Sequence, residues 1–154
     1  MCGIAGLLDP ERRSTGEALE ALAQAMVRVL HHRGPDAHGV WTEPDAGIAL
    51  GHARLSIIDL SAAGNQPMAS ASGRYVLSYN GEVYNAAELR AELEKEGHRF
   101  RGHSDTEVIV EGFSAWGVPE TIEQLIGMFA FAVFDRKERV LTLVRDRLGI
   151  KPLY

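Results

Sequence analysis

Cysteine is almost missing from this chain of 154 residues: there is one, at position 2. A single thiol excludes an internal disulfide and any zinc or iron–sulfur site built on several cysteines. Long apolar runs are missing as well, and no uninterrupted stretch approaches the roughly 18 residues of a membrane span. Positive charge is in deficit, with 16 Lys and Arg against 21 Asp and Glu and a formal net charge of −5. No dense basic stripe is left to hold a phosphate backbone, so nucleic acid is a poor partner and none is expected. The first residues carry no basic region and only a short apolar stretch, which does not describe a signal peptide, so a cytoplasmic location is the default. Internal repeats and low-complexity segments are also lacking.

What is present describes an ordinary globular domain. Hydrophobic residues make up 45% and charged residues 24% of the chain, the usual proportions. A chain near 150 residues buries about 68–70% of its unfolded surface, enough for a core without staples. The length fits one domain.

The pattern along the chain alternates strands with amphipathic helices. Cys2 to Leu8 reads as a short buried strand that Asp9-Pro10 ends. Ser14 and Glu17 have capping-box spacing, and Leu19, Leu22, Ala23, Met26 and Leu30 recur at helical intervals, which predicts a first helix from Thr15 to Leu30. Val40 to Thr42 and Ile48 to Ile58 read as strands around a turn at Pro44 to Gly47, followed by a long loop from Asp59 to Gly73. Arg74 to Tyr79 is a further strand, running into the turn signal Asn80-Gly81. Asn85 is placed to cap a second helix, with Leu89 and Leu93 facing the core and Gly97 ending it. Ser104 and Glu107 open a third helix, and a short one starts at Pro119. Phe129 to Phe134 is apolar at every position, a strand buried on both faces, and Val140 to Val144 is its hairpin partner. Hairpin strands with one buried on both faces imply stacked sheets between helical layers, an α+β fold.

The position of the cysteine carries the chemistry. Met aminopeptidases remove Met1 when the second residue is small, which would leave Cys2 with a free α-amine beside its own thiol. That amine has a reference pKa of about 7.7–8.0, so one residue supplies both nucleophile and general base, the logic of the N-terminal threonine nucleophiles. A lone cysteine is also often a small buried hydrophobe. Gly3 beside it leaves the backbone open to a closely approaching substrate.

Three further places could complete an acyl-transfer site. The Asn80 amide and the Gly81 N–H could both point at one oxygen as an oxyanion hole, or the pair could be a plain hairpin turn. Arg54 sits in an apolar strand and needs a partner, either a bound carboxylate or an internal acid. Asp105, in the first turn of a capped helix, could hold an ammonium group or serve the helix dipole. One thiol, one oxyanion hole, one cation and one anion describe a receptor for a free amino acid with a side-chain carbonyl, and glutamine fits. The six histidines include no pair at the H-x-x-x-H spacing of a helical metal site and read as structural or loop residues.

The chain resembles the glutaminase (class II glutamine amidotransferase) domain of glutamine-hydrolysing asparagine synthetases. The resembling stretches are MCGIAG (1–6), HHRGPDAHG (31–39), GHARLSIIDL (51–60), NQPM (65–68), YNGEVYN (79–85), HSDTEVI (103–109), GMFAFAVFD (127–135) and RDRLGIKPLY (145–154). They run in order from one end of the chain to the other. The resemblance implies the N-terminal-nucleophile hydrolase fold, an αββα four-layer sandwich. It implies Cys2 as nucleophile, Arg54 on the glutamine α-carboxylate, backbone near Ile57 and Ile58 at the pocket edge, Asn80 and Gly81 as oxyanion hole, and Glu82 and Asp105 on the substrate ammonium. The implied reaction is hydrolysis of L-glutamine to glutamate and ammonia through a γ-glutamyl thioester at Cys2. In the family that ammonia serves asparagine synthesis from aspartate.

The glutaminase step needs no cofactor. ATP and Mg2+ are expected only in the synthetase domain that follows in the family and for which no phosphate-loop motif is present here. Residues 1–154 are thus expected to be an amidotransferase domain lacking its last strands. The implied partners are L-glutamine and that synthetase domain, with no membrane; a homodimer stays open. Two alternatives remain at the level of sequence: the glutaminase part of another amidotransferase, such as amidophosphoribosyltransferase, and a catalytically silent glutaminase-like binding domain.

Overall fold

A computed structural model of the chain describes residues 2–57 and 59–154. The elements follow in the order β1 (Gly3–Leu8), α1 (Gly16–Val29), β2 (Ala37–Glu43), β3 (Ile48–Arg54), β4 (Met68–Ala69), β5 (Tyr75–Val83), α2 (Ala86–Lys95), α3 (Asp105–Trp116), α4 (Val118–Gln124), β6 (Gly127–Asp135) and β7 (Val140–Arg145), with 3-10 turns at Pro44–Ala46 and Ala62–Gly64. None of the described helices is long and apolar enough to cross a membrane.

The strands form two antiparallel sheets, one in the order β1-β3-β2 and the other in the order β4-β5-β6-β7. Helix α1 covers the outer face of the first sheet, where Leu19 and Ala23 pack on Ala49. Between the sheets lie Ile48 and Leu50 of β3 against Val76 of β5 and Ala132 and Phe134 of β6. On the far side, Leu77, Tyr79, Phe129 and Phe131 pack on Leu89, Leu93, Ile109 and Phe113 of α2 and α3. This is the αββα sandwich, and its reason is visible in two strands. Every residue of β3 is buried, and so are the last seven of β6; a strand wet on neither face must be covered twice.

Several local readings change in three dimensions. The N-cap of α1 is Thr15, whose side chain accepts from Ala18 N, one residue beyond the Ser14 capping box. Leu22 and Met26 are exposed, and the buried stripe is Leu19, Ala23 and Val27. Asn85 stands at the N-cap of α2 but does not bond there. Its amide instead donates to Gln124 O and accepts from Ile126 N, tying α4 to the start of β6.

Asn80-Gly81 is not a turn. Strand β5 runs through both residues, which lie opposite Ala130 and Phe129 of β6. Pairing along a nine-residue apolar strand overrides the two-residue signal. The glycine is needed for close approach instead: a Cβ on Gly81 would overlap Met128 O and come within 2.7 Å of Phe129 Cα.

Candidate active site

The two central strands deliver the site through their alternation. Side chains on a strand face opposite ways in turn, so Ile48, Leu50, His52 and Arg54 of β3 form one row facing the second sheet. Val76, Ser78 and Asn80 of β5 form the row that faces back. Both rows begin in the apolar layer between the sheets and end in polar residues at one cleft. Cys2, Arg54, Leu55, Ile57, Asp59, Gln66, Tyr79, Asn80, Gly81, Glu82, Asp105 and Thr106 are among the residues that line it. All the expected site residues within the described chain therefore meet in one place. Ile58, expected at the pocket edge, lies outside the described residues.

Cys2 leads directly into β1 and is half-buried. Its Sγ accepts from Leu55 N at 3.3 Å and lies 3.6 Å from Leu55 O. Leu55 is itself held in place: Asp36 N donates to Arg54 O at 3.0 Å, and the Asp36 carboxylate accepts from Ser56 N at 2.7 Å. The His32-Arg33-Gly34-Pro35-Asp36 loop thus braces the segment that touches the cysteine. Gly34 permits this, because a Cβ there would overlap the Ala53–Arg54 peptide.

Arg54 is 7% exposed, and its guanidinium meets carbonyl oxygens rather than an internal acid. The guanidinium donates to Ser61 O at 2.8 Å, to Asn65 Oδ1 at 2.6 Å and to Asp59 O. No carboxylate makes an ion pair with it among the described residues, and carbonyl dipoles satisfy its N–H groups beside the cleft. The loop that supplies these acceptors wraps closely enough that a Cβ on Gly64 would overlap the guanidinium. Asp59 pins the loop to the start of α3, accepting from Ser61 N, Ser61 Oγ and His103 N. The Ser61 hydroxyl, with these N–H groups, holds the Asp59 carboxyl down to about 2.

Asn80 is 6% exposed, and its side-chain amide makes no hydrogen bond with another described group. Gly81 brings the second donor. The N–H groups of Tyr79 and Val83 turn to the edge of β5 away from β6, where they reach Gln66 Oε1 and Asp105 Oδ2. Backbone N–H groups alternate sides along an antiparallel strand, so that of Gly81 turns to the same edge between them. No strand covers it there, since β4 reaches only Val76 and Leu77.

Asp105, 7% exposed, opens α3 after the N-cap Ser104. Its carboxylate accepts from Tyr79 OH at 2.5 Å, Val83 N at 3.0 Å and Thr106 N at 2.9 Å. Burial pushes its pKa up, and these hydrogen bonds oppose that rise. Glu82 stands exposed at the rim.

Tyr79, Gln66 and Asp59 are among the cleft residues not singled out from sequence. Each lies inside a resembling stretch, but its role depends on partners 13 to 44 positions away, which no local pattern encodes. His31 and His38 approach each other at 3.4 Å, away from the cleft. No group of three or more His, Cys, Asp or Glu side chains among the described residues could hold a metal ion.

With this geometry in hand, the comparisons are specific. A family model described as a glutamine amidotransferase domain matches residues 1–154. Asparagine synthetase [glutamine-hydrolyzing] 3 of Bacillus subtilis is 40% identical over the whole chain, which covers 24% of that protein. Asparagine synthetase B [glutamine-hydrolyzing] of Escherichia coli is 40% identical, again over the whole chain and 26% of the relative. The chain thus spans about a quarter of the length of the curated relatives it matches. Among solved structures, the glutamine phosphoribosylpyrophosphate amidotransferase of B. subtilis superposes with a TM-score of 0.69 at 22% identity, over 98% of this chain and 38% of that one.

Proposed function

The chain belongs to the glutamine amidotransferase domain family, and on that premise we propose that it hydrolyses L-glutamine to glutamate and ammonia with Cys2 as the nucleophile. The observation that carries this reading is that the only cysteine of the chain shares one cleft with Arg54, Asn80, Gly81, Glu82 and Asp105. Arg54 and Asp105 are the cation and anion for the two ends of an amino acid, and the Asn80 amide and Gly81 N–H are the donors for its side-chain carbonyl oxygen.

The chemistry follows from those groups. After removal of Met1, the α-amine of Cys2 takes the thiol proton, and sulfur attacks Cδ of glutamine. The developing oxyanion is held by Asn80 and Gly81. Collapse expels the amide nitrogen, which takes the proton back from the amine and leaves as ammonia. The γ-glutamyl thioester is then opened by a water that the same amine deprotonates. Thiol, amine and two N–H donors suffice, so this half-reaction needs neither nucleotide nor metal. In a longer protein like its relatives, the ammonia would serve ATP-dependent amidation of aspartate in a synthetase domain.

The test is incubation of the chain with glutamine, followed by intact mass. Loss of Met1, one adduct with 6-diazo-5-oxo-norleucine, and glutamate release that survives EDTA are expected. A folded chain that gains no adduct and releases no glutamate would make it a silent glutaminase-like domain.

A further inference from the structure

Tyr79, the residue before Asn80, is held at every polar atom it has. Its N–H donates to Gln66 Oε1 at 2.7 Å, its hydroxyl donates to Asp105 Oδ2 at 2.5 Å, and its C=O accepts from His52 Nε2 at 3.0 Å. The first two partners line the cleft. His52 does not. It comes from the other sheet, is 0% exposed, and has no part in the chemistry above.

The form of His52 follows from its partner. A carbonyl can only accept, so Nε2 carries the proton and Nδ1 is a bare lone pair. That Nδ1 is buried with no hydrogen-bond partner among the described residues, an unfavourable state for a polar atom. Its neighbours in the row, Leu50 and Ile48, fill the space between the sheets without that penalty. The imidazole therefore has one distinguishing attribute at this position, the donor it offers to Tyr79 O. Burial lowers its pKa to about 4, which keeps it in the neutral donor form at neutral pH.

The receiving peptide is the sensitive one. The Tyr79 carbonyl and the Asn80 nitrogen share a rigid plane, so fixing the carbonyl fixes the start of Asn80. This edge of β5 has no neighbouring strand to do that, because β4 stops at the partners of Val76 and Leu77. His52 and Gln66 replace the missing ladder with side-chain bonds.

We propose that His52 is a positioning residue for glutamine hydrolysis: its cross-sheet hydrogen bond to Tyr79 O sets the Tyr79–Asn80 peptide and so aims the Asn80 amide and the Gly81 N–H at the oxyanion. This rests on reading the cleft as a glutaminase site. Oxyanion donors act on the transition state more than on bound substrate, so loss of the bond lowers kcat and spares KM.

A built-in control lies next to it. Ser78 Oγ donates to Gly51 O at 2.9 Å, a second tie between the same two strands that does not touch the Tyr79–Asn80 peptide. His52→Leu is expected to lower kcat at least about tenfold with KM within about threefold, and Ser78→Ala to leave kcat within about twofold. Gln places an amide nitrogen near the Nε2 position, and Asn near Nδ1; His52→Gln is therefore expected to restore kcat and His52→Asn to fail. This pair decides the matter if His52→Leu does not fold. Equal kcat in the Gln and Asn variants, or an equal loss in Ser78→Ala, overturns the proposal. Amide hydrogen exchange separates it from the glutaminase reading. Faster exchange at Asn80 in His52→Leu but not in Ser78→Ala supports positioning even in a chain that releases no glutamate. Unchanged exchange at Asn80 in the folded variant sinks it even in an active one.

Discussion

Tyr79 and Asp105 share a 2.5 Å hydrogen bond from phenol to carboxylate, and it joins the strand that carries Asn80 to the first turn of α3. The bond is buried and links the two ends of the proposed glutamine pocket. Tyr79→Phe should leave Asp105 in the same place with one donor fewer. Hydrogen bonds to charged groups contribute about 1.5–3 kcal/mol, and burial already raises the Asp105 pKa. The expected outcome is a higher KM for glutamine that worsens as pH falls, read from kcat and KM over a descending pH series.

Cys2→Ala should abolish glutamate release while circular dichroism and the melting temperature stay close to native, because the side chain is half-buried and, among the described residues, bonds only to Leu55. An added residue ahead of Cys2 keeps the thiol and removes the free amine. It should be nearly as inactive. Full activity in that extended chain would refute the α-amine as base.

Arg54→Ala should lower kcat/KM by roughly 10–100-fold, the equivalent of one lost charged hydrogen bond. The same side chain also anchors Ser61, Asn65 and Asp59, so a glutamine analogue without the α-carboxylate is the control. It should be poor with the native chain and lose little more in the variant. Gly64→Ala, whose Cβ would overlap the guanidinium, should raise KM by displacing Arg54.

Asn80→Ala should lower kcat by about 10²–10³-fold with a small change in KM, the behaviour of an oxyanion donor. An unchanged kcat in steady-state assays would leave Asn80 as a strand residue only.

Stability should fall on acidification from about pH 6.5 to 4. In the unfolded chain His52 titrates near 6.5, whereas burial holds the folded one at about 4. Between those values the unfolded state binds more protons, so acid favours unfolding. Below that window Asp59 adds to the loss, since its carboxyl is held down to about 2 from 3.8 and its hydrogen bonds fail as pH drops between them. Urea midpoints from pH 7 to 4.5 should fall in the native chain and fall less in His52→Gln.

By itself the sequence determined the layers and singled out the candidate reacting groups. Phe129 to Phe134, apolar at each position, required cover on both faces, and with the hairpin pattern of the strands that implied stacked sheets. Cys2, Arg54 and Asp105 stood out because a thiol at the second residue, a cation in an apolar strand and an acid after a helix cap are local facts. Tertiary structure decided what those groups touch. Asn80-Gly81 carries the local signal of a turn, yet pairing with Ala130 and Phe129 keeps it in a strand and turns the Gly81 N–H to an open edge. Arg54 could have met an internal acid, but the Asp59–Asn65 loop folds back and meets it with carbonyl dipoles. His52 read as one more histidine until the second sheet brought Tyr79 O to within 3.0 Å of its ring. The physical reason is common to all three. Periodicity and capping act over a few residues and are written locally, whereas these contacts join residues 5 to 50 positions apart and exist only once strands have paired, the loop has folded back and the two sheets have packed.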